Sequence, residues 1–139
     1  MRNAELRQAL VSTLKAHVGL TALLAQDPIT GTPAVYDHVP QDAEYPYEVV
    51  GELTGVDHDT DDTLGWDADV VIHQWSRFRG FDEVESIQRQ TDLALNRVEP
   101  VVVDARIVTL HRVSVEGVLD PDGLTRHGIH RFRAIIEET

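Results

Sequence analysis

The 139-residue chain contains no cysteine. That absence excludes a disulfide framework, thiolate-ligated zinc and a thiol nucleophile together, and it suits a protein made in a reducing cytoplasm. No stretch approaches the roughly 20 apolar residues that a membrane-spanning helix needs. Near the N-terminus Arg7 and Lys15 interrupt the apolar positions, so the unbroken apolar core of a signal peptide is missing. Neither export nor membrane insertion is expected. Positive charge is scarce as well: 12 Lys and Arg stand against 24 Asp and Glu, a formal net charge of -12. Its sign opposes the phosphate attraction that supplies most nonspecific nucleic-acid affinity. The chain also lacks a Gly-x-Ser-x-Gly elbow, a His-Glu-x-x-His helix and a Gly-x-x-x-x-Gly-Lys phosphate loop. Each of those motifs exists because its chemistry needs a fixed local geometry, so the pattern points away from an enzyme, and no cofactor is expected.

What is present reads as an ordinary globular chain. Its 42% hydrophobic and 26% charged residues are near the averages for soluble proteins, and its length suffices to bury roughly two-thirds of the unfolded surface around one core. One domain over residues 1–139 is expected. Leu6, Leu10, Leu14 and Val18 recur at steps of four behind Asn3, a good N-cap, which predicts a helix over 4–18 closed by Gly19 in the left-handed conformation. Leu20, Leu23 and Leu24 add short helical turns, and residues 27–33 carry two prolines and a glycine that end them. Residues 35–39, 46–53 and 68–75 read as strands, the second with Pro46 at its permitted first position. Between the last two, residues 55–66 are too polar to pack and form an exposed acidic loop. Asp82 and Glu85 make a capping box for a helix whose Val84, Ile87, Thr91, Ala94, Leu95 and Val98 share one face until Pro100 stops it. Residues 101–103 and 107–118 are extended, 120–123 form a Pro-Asp-Gly turn, and 125–136 return as the second arm of a hairpin. In that arm His130, Phe132, Ala134 and Ile136 point one way and Ile129, Arg131, Arg133 and Ile135 the other. The order predicts an α+β fold: an antiparallel or mixed sheet of four to five strands with two main helices packed on one face.

Three constellations invite chemistry. Asp57, Asp59 and Asp61 have the spacing of the first ligands of a calcium loop, but Asp62 stands where that loop needs glycine and Ala68 where it needs a bidentate glutamate. No metal site is therefore assigned, and the loop reads as solvated or as a charged surface facing a partner. Of the seven histidines, the closest pair, His127 and His130, would project from opposite faces of a strand and cannot easily share an ion. His38, His73 and His111 fall on expected strands, yet no spacing requires them to gather. Arg77 and Arg79 flank Phe78 ahead of Phe81. The simplest reading packs both phenylalanines under the following helix and leaves the arginines to pair with acids or serve an interface.

The chain resembles the tail-completion, or tail terminator, proteins of long-tailed bacteriophages and of phage-derived gene transfer particles. The resemblance rests on the N-terminal amphipathic helix with its leucine turns, on Val35-Tyr36-Asp37-His38-Val39-Pro40-Gln41-Asp42 followed by Tyr45-Pro46-Tyr47, on Val70-Val71-Ile72-His73-Gln74-Trp75-Ser76-Arg77 with the glutamate-rich helix after it, and on the terminal His130-Arg131-Phe132-Arg133 strand. It implies a non-enzymatic virion protein that forms a ring, typically of six, on the head-proximal end of the tail tube, stops tube growth and meets the head-completion proteins. DNA would pass through without specific binding. A ring needs heterologous contacts that close by rotation. The candidate residues for the interface or channel are Asp57, Asp59, Asp61, Asp62, Trp66, Arg77, Arg79, Ile129, Arg131 and Arg133. The competing readings are a head-closure or neck ring of similar design, and a small acidic cytoplasmic binding domain or metal-dependent enzyme built on strand histidines and acids.

Overall fold

The computed structural model describes residues 2–139. Helix α1 spans Asn3–Ala16 and buries Leu6, Ala9, Leu10 and Leu14 along one side. Arg2 precedes it as the N-cap without a side-chain bond, so Asn3 is the first helical residue and does not cap. The helix breaks at His17, whose φ of -85° and ψ of 104° are extended, and resumes as the single turn α2, Val18–Thr21. Helix α3 is Asp82–Leu95. Gly19 does not terminate α1: it lies inside α2, where a Cβ would sit 2.2 Å from Gln90 Oε1 of α3. A side chain there would have to displace the Gln90 amide, which His17 Nε2 also contacts at 3.0 Å.

The strands are β1 Val35–Tyr36, β2 Tyr47–Asp57, β3 Gly65–Ser76, β4 Val101–Val102, β5 Ala105–Leu119 and β6 Arg126–Glu138, ordered β1-β2-β3-β6-β5-β4 in one sheet. Six strands replace the expected four to five because β1 and β4, two residues each, clip onto opposite ends of the long strands. All pairs are antiparallel except β1 with β2, which makes the sheet mixed. The acidic loop is shorter than its composition suggests. Residues 55–57 complete β2 and Gly65 and Trp66 begin β3, since pairing such as Val56 with Asp67 satisfies backbone groups whatever the side-chain polarity.

Alternation sorts the sheet into two faces. Ala68, Val70 and Ile72 of β3 and Phe132, Ala134 and Ile136 of β6 join Leu6, Leu10, Leu14, Ile87 and Leu95 in one core beneath the helices. A bulge between Val50 and Leu53 shifts the phase of β2 and keeps both residues on that side. Two expectations for α3 fail. The capping box does not form, because Phe81 is the N-cap and Asp82 already helical; the first-turn acids Asp82, Glu83 and Glu85 still favour the helix N-terminus electrostatically. The helix also ends at Leu95, short of Val98. Asn96 turns extended and Arg97 adopts a φ of 63°, the Arg97 amide donates to the Leu110 carbonyl (2.8 Å), and Asn96 Oδ1 accepts from the Arg112 amide (2.8 Å).

Gly128 of β6 lies directly under α3, where a Cβ would meet Gln74 Oε1 at 2.4 Å and Gln88 Nε2 at 2.7 Å. Both amides are held in a buried hydrogen-bonded chain. Gly128→Ala is therefore expected to destabilise the fold by about 1–3 kcal/mol, read as a lowered melting temperature by circular dichroism. An unchanged melting temperature would show that the amides move freely.

Candidate assembly surface

No helix packs on the far face of the sheet among the described residues, although the loop residues Val39, Ala43 and Tyr45 cover its Tyr47 and Trp75 end, and its side chains follow from register. Asp69 pairs with Arg133 and Asp67 with Ile135 across β3 and β6, while β5 places His111 opposite Arg133 and Ser114 opposite Arg131. Charges alternate across it. Arg133 grips Asp67 through Nε to Oδ1 (2.8 Å) and Nη2 to Oδ2, Arg131 reaches Glu116 (3.4 Å), and Arg106 reaches Glu137 (2.7 Å). The Arg133 guanidinium bonded to Asp67 holds that carboxyl below its usual range. Each of these arginines already has a carboxylate partner, so the face presents paired charge instead of bare cations.

Toward the other end of the same face the charges give way to rings. His127 lies flat on Trp75, with centroids 3.8 Å apart and planes 7° from parallel, and His73 Nδ1 is 2.7 Å from His127 Nε2. The far nitrogen of His73 meets Glu52 (2.9 Å). Burial, and then the neighbouring His73, push the His127 pKa down. Tyr47 packs on Tyr36, Tyr45 and Trp75, burial pushes its hydroxyl up to about 12, and the Arg77 guanidinium sits 4.2 Å over the Tyr45 ring. The meeting of His73 with His127 was not readable from spacing, because 54 residues separate them. Only the β3–β6 register brings them together. Among the described residues no three His, Asp or Glu side chains converge as a metal site.

The other candidate residues scatter. Asp57 and Asp59 fold the loop on itself, accepting the Asp59 and Gly65 amides (2.9 and 2.8 Å), and Asp61 and Asp62 are exposed at its tip. Trp66 is half-buried and donates to Glu138 (3.4 Å). Arg79 is exposed, and Ile129, Arg131 and Arg133 share the open face as their alternation requires. The expectation that Phe78 and Phe81 pack under α3 is overturned. They are 56% and 37% exposed: Phe78 stands in the turn before Gly80, and Phe81, the N-cap of α3, lies partly against Gly117 of β5.

Beneath the helices sequence reasoning missed a buried polar chain. Glu48 Oε2 accepts from Thr91 Oγ1 (2.6 Å) and Gln74 Nε2 (2.9 Å), Gln88 donates to Gln74 Oε1 (3.2 Å), and Gln74 also reaches His130 Nδ1 (3.3 Å). His130 Nε2 contacts Asp92 (2.8 Å), which binds Arg112 (2.6 Å) at the surface. Glu48 is wholly buried, its Oε1 has no partner among the described residues, and burial raises its pKa to about 7. Polar residues at core-phase positions 48, 74, 88 and 130 were the available signal.

Comparison with known proteins bears on the whole chain. A family model described as tail completion protein gp17 matches residues 8–137. A chain in the solved virion of a native gene transfer agent particle is similar at 26% identity with a TM-score of 0.84, 96% of each chain being covered. No curated protein sequence matches.

The buried carboxyl sets a pH dependence. A folded-state pKa raised from 4.5 to about 7 means the native state holds this proton more tightly than the unfolded chain. Stability therefore falls as pH rises from about 4.5 to about 7, by on the order of 3 kcal/mol, and the penalty persists above that. Glu48→Gln has no proton to lose, so its melting temperature relative to the parent should climb between pH 5 and 8. A constant difference would remove the role of Glu48.

Proposed function

The chain belongs to the tail completion protein gp17 family, and from that membership we propose that it is a ring-forming terminator that caps the head-proximal end of a phage-type tail tube. A structural place in the virion tail follows from the family and from the gene transfer particle. The ring, of six copies, ends tube polymerisation and offers its far side to a head-completion protein. The observation that carries this reading is the likeness over 96% of the chain to a component of an assembled particle. In solution the test is mass. Light scattering should report a species near six times 15.5 kDa, or a monomer that rings when tail-tube protein is added, and tubes grown with it should be shorter. A strict monomer without effect on tube growth would overturn the reading. Preferential binding to a portal adaptor would move it to the neck.

The open sheet face faces the channel in this reading. A duplex passing along it meets arginines already neutralised by Asp67, Glu116 and Glu137 inside a subunit of net charge -12, so phosphates find no net attraction. Rings carrying Asp67→Asn, Glu116→Gln and Glu137→Gln release three guanidinium groups and should retain DNA at low salt and let it go as salt rises, whereas parent rings do not. Equal retention by both would place this face elsewhere.

A further inference from the structure

The sheet leaves two lengths of strand edge bare, and they complement each other. On one side, β1 covers β2 only at Glu48 and Val49, and the Gly51 carbonyl accepts from Arg7 (3.3 Å), so the bare edge runs over 52–57. On the other side, β4 covers β5 at Ala105 and Arg106, the Arg97 amide binds the Leu110 carbonyl, and Asn96 takes the Arg112 amide. The bare edge there runs over 113–119, within which the Glu116 carbonyl accepts from Gln88 of α3 (2.9 Å). It is apolar for an edge: Val113, Val115, Val118 and Leu119 are all exposed, and none of the lysines or prolines that usually blunt such edges is present. The two edges differ in length by one residue and lie at opposite ends of the strands.

We infer that the edge of β5 in one copy takes the edge of β2 from a second copy, so that the sheets continue from subunit to subunit around the ring. This rests on the ring reading above and specifies its contact. Polarity agrees. β3 and β5 run one way and β2 and β6 the other, so a neighbour in the same orientation sets its β2 antiparallel to β5. Setting the neighbour's Asp57, where the bare β2 edge ends, opposite Val113, where the bare β5 edge begins, opposes Ser114 to the neighbour's Val56, both on the open face. Within one copy Val56 shares a row with Asp67 and Ser114 shares a row with Val71, so the neighbour is displaced by four residues along the strands. At ~3.3 Å per residue that is about 13 Å, against about 19 Å across four strands at ~4.8 Å each. The resulting strand slope of about 35° falls where closed barrels require it. Six copies would contribute four long strands each, more than the roughly 16–18 strands that already leave an aqueous channel in porins.

Hand decides which face lines the channel. β3 passes through α3 to the parallel β5, a crossover that is right-handed in nearly all proteins, so from the helix side β5 lies to the right of β3. Barrel strands slope as right-handed threads, in keeping with strand twist; from outside, the right-hand neighbour is displaced toward the C-terminal end of β5. That is the displacement the bare edges need, and it puts the helices outside and the Arg–carboxylate face inside.

The same register gives the acidic loop its occupant. Past Asp57, the neighbour's residues 58–64 run beside the base of the bare β5 edge, where Arg97 and His111 line a cavity of about 360 Å³ with Glu99, Val108 and Leu110. Arg97 has no carboxylate partner in its own chain among the described residues. Asp59, Asp61 and Asp62 bring negative charge to it, and the exposed Leu64 brings an apolar side chain to the cavity.

The native absence of cysteine makes the test direct. Val56→Cys with Ser114→Cys, oxidised under ring-forming conditions with tail-tube protein present, should give a covalent ladder ending at the full ring. Neither single variant should cross-link within the ring, because each cysteine then faces a residue without a thiol. Val115→Lys, an exposed change, should abolish rings while leaving the monomer's melting temperature within a few degrees. Rings visible by electron microscopy but without cross-links beyond dimer, or undisturbed by Val115→Lys, would overturn the edge pairing and leave the ring standing. No rings from the parent chain, alone or with tube protein, would overturn the ring reading and the pairing with it.

Discussion

Everything in this subunit hangs on the ladder between β3 and β6. It runs unbroken over twelve pairs from Gly65 with Glu137 to Ser76 with Arg126, while the ladders flanking it carry bulges. An uninterrupted register leaves no freedom about faces, since a slip by one residue would exchange the two sets of side chains. Phe132, Ile72 and Val70 thereby fall under the helices, and Asp67, Arg131 and Arg133 fall on the opposite side. Bulges are tolerated only outward from this pair, and there they bend the sheet without disturbing its centre.

Much of that was legible because the period was strong. The face assignment of residues 129–136 is borne out residue by residue, and the apolar stripe of α3 lies where its spacing placed it. Interruptions were the harder part. His17 breaks the first helix although its neighbours keep the apolar period, because α2 must turn to meet Gln90. Residues 55–57 look like loop but are strand, since a partner's backbone can order a polar segment. Phe78 and Phe81 look like core and are exposed, because the sequence does not reveal where the turn before α3 places them. The His73–His127 contact and the Glu48 chain depend on register between segments far apart, and a single sequence carries no such information.

The two faces handle polarity in opposite ways. Outside the core, charges meet in water, where each pair contributes little to stability, and their arrangement controls what the surface attracts. Inside, Glu48, Gln74, Gln88, Thr91 and His130 hydrogen-bond across four elements, with Glu48 Oε1 left over, and these directional contacts tie α3 to β2 and β3. A core of plain aliphatics would allow α3 to slide. The polar chain fixes it, and through the Asn96 and Arg97 contacts it fixes the part of β5 that ends where the bare edge begins.

Chain order adds a timing rule. The strand at the middle of the sheet is the last of the six to be made: β6 slots between β3 and β5, closing pairs 50 residues apart at Ser76–Arg126 and 72 apart at Gly65–Glu137. Such distant contacts form slowly. Until they form, β3 and β5 are not held in one sheet, and the spacing between the two outer edges does not exist. Under the proposed edge pairing a half-folded copy therefore cannot be counted into a ring, and the geometry that permits joining is itself the certificate that folding has finished.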